Sequence, residues 1–298
     1  MIRICLLGLG EVGQIFAEDL PARGGCAISA WDPKFADSTS PPRLALNRGA
    51  IRAGRDSVDA VRDADLVISA VTAAQTVDAA RAAAPGLRAD AVYLDVNSAA
   101  PEEKIAAAAL VKAVGAAYVE AAVMSPISPK RMRTAILLGG PHARAFLPRA
   151  QTLGFDGMTF YAEEYGRASA AKMCRSVIVK GMEALLTESM LSARHYGVEI
   201  DVLASLNDLF PGPDWRKLTH YMISRSIEHG VRRAEEMREA VKTVANAGLA
   251  PLMSSACAAR QDWAHQFRPQ LESARLEDLL DGILRQQQNA DHKGNRAC

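Results

Sequence analysis

Short apolar runs alternate with helix-period segments through the first half of the chain. Residues 1–7, 27–31, 50–53, 66–71, 91–94, 116–123, 134–138 and 155–160 each read as a strand, being short, aliphatic or β-branched, and bounded by Gly, Pro or Asp. Between them lie helical stretches at 14–20, 43–48 (opened by Pro41-Pro42 and closed by Gly49), 56–62, 72–84, 101–114 and 143–153. Strands that are apolar throughout, alternating with helices, predict a parallel sheet covered on both faces. From residue 163 the pattern holds no strand, only helical runs punctuated at Gly197, Phe210-Pro211-Gly212-Pro213, Gly230, Gly248 and Pro251. The expected domains are therefore 1–162 and an all-helical 163–285. The polar, aperiodic residues 286–298 are expected to be a disordered tail.

The first strand runs into Gly8-Leu9-Gly10-Glu11-Val12-Gly13, a G-x-G-x-x-G segment that opens a helix. Gly8 suits the tight turn, Gly10 lets the backbone approach a pyrophosphate, and Gly13 lets helix and strand pack closely. Amides at the helix start then hold the phosphates. Glycine turns also occur in α/β proteins that bind nothing, so the context carries the reading: the second strand ends in Asp32, at 32 − 8 = 24 residues from Gly8, close to the spacing of about 20 for an acid on the adenosine ribose. The fold class is thus an α/β Rossmann-type doubly wound sheet followed by an all-α C-terminal domain. A carboxylate there accepts from a free ribose diol and repels a 2′-phosphate, which favours NAD over NADP. Lys34 works against that repulsion and leaves NADP possible.

Lys and Arg total 35 against 34 Asp and Glu, a net charge of +1. That balance gives no reason to expect nucleic acid or an anionic membrane as partner. The five cysteines, Cys5, Cys26, Cys174, Cys257 and Cys298, show neither C-x-x-C spacing nor an even count, which argues against a disulfide framework and a zinc site and for a reducing cytoplasm. No metal site is expected, and the N-terminus does not read as a signal peptide. No apolar run reaches the length of a membrane span.

In the second half, Ser169, Lys172, Ser176, Lys180, Glu183 and Thr187 recur at three- and four-residue intervals on one long helix, about residues 164–196, and so share a face. A lysine on such a stripe among apolar neighbours loses hydration, and its pKa moves toward the range useful for proton transfer. Spacing alone equally allows solvated lysines, and an ordinary Lys180–Glu183 ion pair at i, i+3. His195, His220, His229 and His265 stand singly and read as packing or capping residues.

These motifs together resemble the β-hydroxyacid dehydrogenase superfamily, which includes 3-hydroxyisobutyrate and 6-phosphogluconate dehydrogenases, and in particular a branch with its own helical C-terminal domain. Gly8–Gly13 resembles the family's G-L-G-x-M-G, with Val12 for methionine; Asp95-x-Asn97-Ser98-x-x-Pro101 resembles its D-x-S-T-x-x-P segment; Gly166-x-Ala168-x-x-x-Lys172 resembles its G-x-G-x-x-x-K. The resemblance implies that Lys172 is the general acid/base. It also implies cofactor contacts at Gly8, Leu9, Gly10, Glu11, Val12, Gly13, Asp32, Val71, Thr72 and Asn97, and substrate contacts at Ser98 and Ser125; Arg175 and Ser176 are further substrate candidates because they follow Lys172 on the same helix. Three departures stand out. The usual D-A-P-V-S-G-G loop is Glu120-Ala121-Ala122-Val123-Met124-Ser125-Pro126, the asparagine four residues after the lysine is Ser176, and the second acid of 6-phosphogluconate dehydrogenase falls on Val179. Decarboxylating sugar-phosphate chemistry is accordingly not expected.

The function these readings imply is NAD(P)-dependent hydride transfer to or from a small hydroxy acid or related alcohol, neutral or anionic. Lys130, Arg131 and Arg133 are either a further anion contact or a solvated surface. The alternatives are a cofactor-binding regulatory or scaffold protein without turnover, motivated by the altered loop, and an imine reductase on the same architecture. Apolar positions Leu185, Met190, Leu191, Leu203, Leu206 and Leu209 predict a homodimer joined through the helical half.

Overall fold

A computed structural model describes residues 1–22, 24–47 and 50–294, the last five by their backbone alone. The chain divides into two compact units that part at Met173 and Cys174. The first unit carries eight strands, β1 (Ile2–Leu7), β2 (Cys26–Trp31), β3 (Ile51–Ala53), β4 (Leu66–Ser69), β5 (Val92–Asp95), β6 (Ala117–Val123), β7 (Ile136–Gly139) and β8 (Met158–Ala162). Its helices are α1 (Glu11–Ala22), α2 (Pro41–Leu46), α3 (Ser57–Val61), α4 (Thr76–Ala83), α5 (Pro101–Ala113) and α6 (Ala143–Thr152). The expected closure of α2 at residues 48 and 49 lies outside the described residues.

The strands form one sheet in the order β3-β2-β1-β4-β5-β6-β7-β8. The order reverses between β1 and β4, which is the switch point where open α/β sheets bind ligands. Successive side chains of a strand point to opposite faces, and the core divides accordingly. Ile4 and Leu6 pack with Phe16, Leu20, Phe146 and Phe155 on one side, while Cys5 and Leu7 pack with Val61, Ala80, Ala83, Ala107 and Val111 on the other. Burial on both faces is why these strands read as unbroken apolar runs rather than as alternating ones.

One expectation is corrected. β7 runs antiparallel to β6, with Glu120 opposite Gly139, whereas the neighbouring strands elsewhere pair in parallel. A parallel return needs a crossover, usually a helix. The link from β6 to β7 holds tight turns over residues 127–133 and no α-helix, and Met124 N–H already bonds Ala135 O across it at 2.9 Å.

The second unit is helical. α7 (Arg167–Tyr196) begins in the first unit, and α8 (Glu199–Leu209), α9 (Trp215–Asn246), α10 (Leu252–Ala264) and α11 (Leu276–Gly294) follow it. Met190, Leu191, Leu203, Ile223, Ile227, Phe267, Leu279, Leu280 and Ile283 make its core. The two units part inside α7, whose first turn is bonded to β6 through Glu120; the boundary expected from the sequence lies near residue 162. The punctuation expected at Gly230 falls on a kink: the backbone of His229 (φ −118°, ψ 15°) leaves the helical conformation and divides α9 into two helical segments. A Cβ on Gly230 would stand 2.4 Å from Gln261 O, so this glycine lets α10 pack closely against α9. The tail expected from residue 286 overlaps the end of α11, which is described to Gly294, and residues 295–298 lie outside the described residues. Leu276, Leu279, Leu280 and Ile283 anchor that helix at helical spacing.

No helix among the described residues is long and apolar enough to cross a membrane.

Candidate functional site

The glycine loop is built as its sequence requires. Gly8 has φ +88°, and a Cβ there would lie 2.5 Å from Ala70 O; one on Gly13 would lie 2.2 Å from Gly8 O. Neither position tolerates a side chain, which fixes the tight turn and brings α1 against β1. Gly10 is different. Nothing lies within 4 Å of where its Cβ would be, so the backbone faces open space there. The first intrahelical bond of α1 runs from Gln14 N–H to Gly10 O at 2.9 Å. The amides of Glu11, Val12 and Gly13 precede it and have no intrahelical acceptor. Open space above unsatisfied amides fits a pyrophosphate, so the donor set suits a dinucleotide.

Asp32 is buried, and it does more than end β2. Its Oδ2 accepts Leu9 N–H and its Oδ1 accepts Lys34 N–H, both at 2.9 Å. A carboxylate oxygen has lone pairs for more than one donor, so these bonds orient the group and hold the glycine loop while leaving capacity for a ribose hydroxyl.

At the ends of β4 and β5, Asn97 joins neighbouring strands. Its Oδ1 accepts Val71 N–H at 2.8 Å and its Nδ2 donates to Ser69 Oγ at 3.0 Å. Both ends of the amide are engaged by protein. A carboxamide has two donors and two lone pairs, so Asn97 shapes the Val71–Thr72 edge and keeps capacity at both ends for a further partner. Thr72 is exposed and leads toward α4.

Lys172 is buried to 9% exposure, in the second turn of α7, and its Nζ donates to Ser98 Oγ at the end of β5. Two sequence segments 74 residues apart thus meet. Ser125, in the loop after β6, carries a buried Oγ with no hydrogen-bond partner. Of the loop cations, Arg131 donates to Asp19 and Glu18 of α1 at 2.7 to 3.0 Å, which holds its guanidinium charged and makes it a tie between loop and helix.

In the second unit the polar stripe is buried rather than open. Lys180 Nζ contacts Ser176 Oγ at 3.1 Å and Glu236 Oε2 at 2.8 Å, so the i, i+3 pair with Glu183 does not form. Glu183 takes Arg233 instead, at 2.6 and 2.7 Å, with Gln261 Nε2 at 3.1 Å. Burial raises the Glu183 carboxyl above its usual range, and Arg233 opposes the shift. Ser176 Oγ thus accepts from Lys180 and keeps its O–H as a donor, and Arg175 lies on the exposed side of α7.

Residues that sequence reasoning gave no role form a charged layer in the first unit. Lys104 Nζ, fully buried, bonds Asp95 Oδ1 at 2.7 Å and Asp95 O at 3.0 Å. Tyr118 OH donates to Asp95 Oδ2 at 2.6 Å, and Asn97 N–H to Oδ1 at 2.9 Å. Burial and the neighbouring Asp95 charge push the Tyr118 phenol well above its ordinary range, so it serves as a donor. Glu120 accepts Gly166 N–H and Ser169 N–H, both at 2.6 Å. The signal available in the sequence was an acid inside an apolar strand, Asp95 in β5 and Glu120 in β6, whereas Lys104 shares its helix with Glu102, Glu103 and Lys112 and carried no such signal.

Comparisons with known proteins agree with an NAD-binding sheet followed by a helical C-terminal region. Residues 3–150 match the NAD binding domain of 6-phosphogluconate dehydrogenase, and residues 193–264 match a domain of unknown function, DUF1932. The crystal structure of a conserved hypothetical protein from Sinorhizobium meliloti 1021 superposes with a TM-score of 0.76 at 34% identity, covering 96% of each chain. The NAD-dependent L-serine dehydrogenase of Pseudomonas aeruginosa is 28% identical over 222 residues, 72% of this chain and 72% of that one. A structure of Mycobacterium tuberculosis 3-hydroxyisobutyrate dehydrogenase with L-serine gives a TM-score of 0.70 at 18% identity, covering 95% of this chain and 99% of that one, which speaks for the fold alone. The chain therefore belongs to the β-hydroxyacid dehydrogenase superfamily of nicotinamide-dependent oxidoreductases, in the branch that joins an NAD-binding sheet domain to a helical DUF1932 domain.

Proposed function

We propose that this protein moves a hydride between a nicotinamide dinucleotide and a small hydroxy acid, with Lys172 as the group that takes and returns the hydroxyl proton. The observation that carries this reading is the contact of Lys172 Nζ with Ser98 Oγ at the carboxyl end of β5, on the binding edge of the sheet. The dinucleotide, when bound, supplies or accepts the hydride. The protein's part is position and proton transfer. Gly8, Gly10 and Gly13 with the amides of Glu11 and Val12 hold the phosphates, Leu9 is fixed by Asp32, and Val71 and Thr72 line the strand edge that Asn97 organises. Lys172 accepts the substrate hydroxyl proton in oxidation and returns it to the carbonyl oxygen in reduction. Ser98 keeps the amine aimed, and the unpartnered Ser125 hydroxyl is available to a substrate oxygen.

Asp32 supports NAD as the preferred cofactor, since its carboxylate accepts a ribose diol and repels a 2′-phosphate. L-Serine and 3-hydroxyisobutyrate are the first substrates to test, because proteins similar to this one are named for them. A homodimer through the helical unit is part of the same proposal. Leu185 and Leu209 are 58% and 69% exposed, and Ile178 and Phe210 are likewise exposed. Met190, Leu191 and Leu203 belong to the unit's own core instead.

A panel of L-serine, 3-hydroxyisobutyrate, other small hydroxy acids and cyclic imines, each with NAD(H) and NADP(H) and read at the nicotinamide absorbance, tests the reading. Lys172→Met keeps the apolar stem and removes the amine, so cofactor affinity stays within about twofold while turnover falls by about 10²–10⁴. Undiminished turnover in that variant would remove Lys172 from the mechanism. Binding of NAD(H) with no turnover across the panel would favour a cofactor-binding protein without catalysis.

A further inference from the structure

We infer that Glu120 is a positioning residue for Lys172, setting the amine against Ser98 by capping α7 from the sheet; the inference rests on the role proposed above for Lys172. A helix leaves its first amides without acceptors, and the usual remedy is local, with one side chain at the N-cap and another three positions on. In α7 one distant carboxylate does both. Glu120 Oε2 takes the N–H of Gly166, just before the helix, and Oε1 takes that of Ser169, in its first turn, each at 2.6 Å. Gly166 has φ +87°, so the chain enters the helix through a conformation that suits glycine.

The sheet makes room for this. Glu120 sits opposite Gly139 on β7, and a Cβ on Gly139 would approach Glu120 Oε2 to 2.9 Å. A fully buried carboxylate is costly unless it is satisfied, and here two amides at the positive end of a helix satisfy it. Lys104 attracts Glu120 only through space, since its own bonds go to Asp95. Lys172 follows Ser169 by three residues and shares its face of the helix. α7 is thus pinned to β6 at its first turn and reaches β5 one turn later through Lys172 and Ser98. Moving the first pin moves the amine.

Glu120→Gln is the direct test. A glutamine offers one acceptor oxygen and sets an NH₂ against the second backbone N–H, so one bond is lost and two donors face each other. With the full-length protein labelled at lysine ¹³Cε, the Lys172 resonance is the one missing in Lys172→Met. In Glu120→Gln this resonance shifts, amide exchange at Gly166 and Ser169 quickens at least tenfold, and NADH affinity stays within twofold. With L-serine as substrate, kcat falls at least tenfold while KM stays within twofold. Glu120→Asp keeps the charge and restores part of each effect. Gly139→Ala displaces the same carboxylate from the other side, and serves if Glu120→Gln fails to fold. Faster amide exchange with an unmoved Lys172 resonance would reduce Glu120 to a helix cap and overturn the inference, as would unchanged exchange. If L-serine is not turned over, the resonance and exchange measurements still decide. Loss of the Lys172 proton-transfer role is read separately, from Lys172→Met in the substrate panel.

Discussion

Replacing Lys104 by Met leaves the Asp95 carboxylate fully buried without its cation. Lys104 and Asp95 are each wholly inaccessible, and their 2.7 Å contact is supplemented by the 3.0 Å bond from Nζ to Asp95 O. Tyr118 OH and Asn97 N–H remain on the carboxylate, so its hydrogen bonds are only partly lost while the charge goes uncompensated. Breaking a buried pair from one side costs about 3–5 kcal/mol, mostly for the charge left behind. The same accounting predicts that the double variant Lys104→Met/Asp95→Asn recovers at least about 1 kcal/mol, since the neutral amide no longer needs a cation and the Tyr118 hydroxyl can turn to accept from it. Trp31 on β2 reports on the first unit once Trp215 and Trp263 of the second are changed to Phe. Urea unfolding followed by Trp31 fluorescence gives the difference from the shift in midpoint at constant slope. A loss below about 1 kcal/mol in the single variant, or a double variant less stable than the single, would refute the view of this pair as mutually compensating buried ions.

The remaining predictions concern cofactor choice, acid stability and assembly. NAD(H) binds more tightly than NADP(H), and Asp32→Ser narrows or reverses the gap in fluorescence titrations; tighter NADP(H) binding by the unmodified protein would assign the choice to Lys34 or another cation. The Arg3 hydrogen bond, with Arg88 beside it, holds the Asp65 carboxyl at about 2, below its ordinary 3.8. A depressed carboxyl contributes stability that is present above its unfolded value and is lost as pH falls through the folded one, so unfolding monitored from pH 5 to pH 2 loses on the order of 1 kcal/mol at this pair, after allowance for an exposed partner. Asp65→Asn removes that slope, and an unchanged slope would place the acid sensitivity elsewhere. Light scattering at micromolar concentration gives the mass of two chains, and Leu185→Asp shifts it toward one; a monomeric wild-type protein would remove the argument from the exposed leucines.

The sequence by itself determined the eight strands, the helices between them and the change to an all-helical second half, because burial on both faces or on one imposes a local periodicity that water enforces residue by residue. It also determined the glycine loop, since Gly8 and Gly13 answer steric demands made by their near neighbours. The polar stripe of α7 was legible as a face for the same reason. What fills each position on that face was not: Lys180 meets Glu236 rather than Glu183, and Glu183 meets Arg233, because partners on α9 are brought in by packing and not by helical spacing. The antiparallel turn of β7 depended on what the link after β6 failed to form. Only the tertiary structure showed that Glu120, Asp95 and Lys104 are compensated charges, since an acid inside an apolar strand, or a lysine on a helix, looks the same whether or not a distant partner satisfies it. Periodicity records where water is excluded; pairing across dozens of residues is decided by the fold that excludes it.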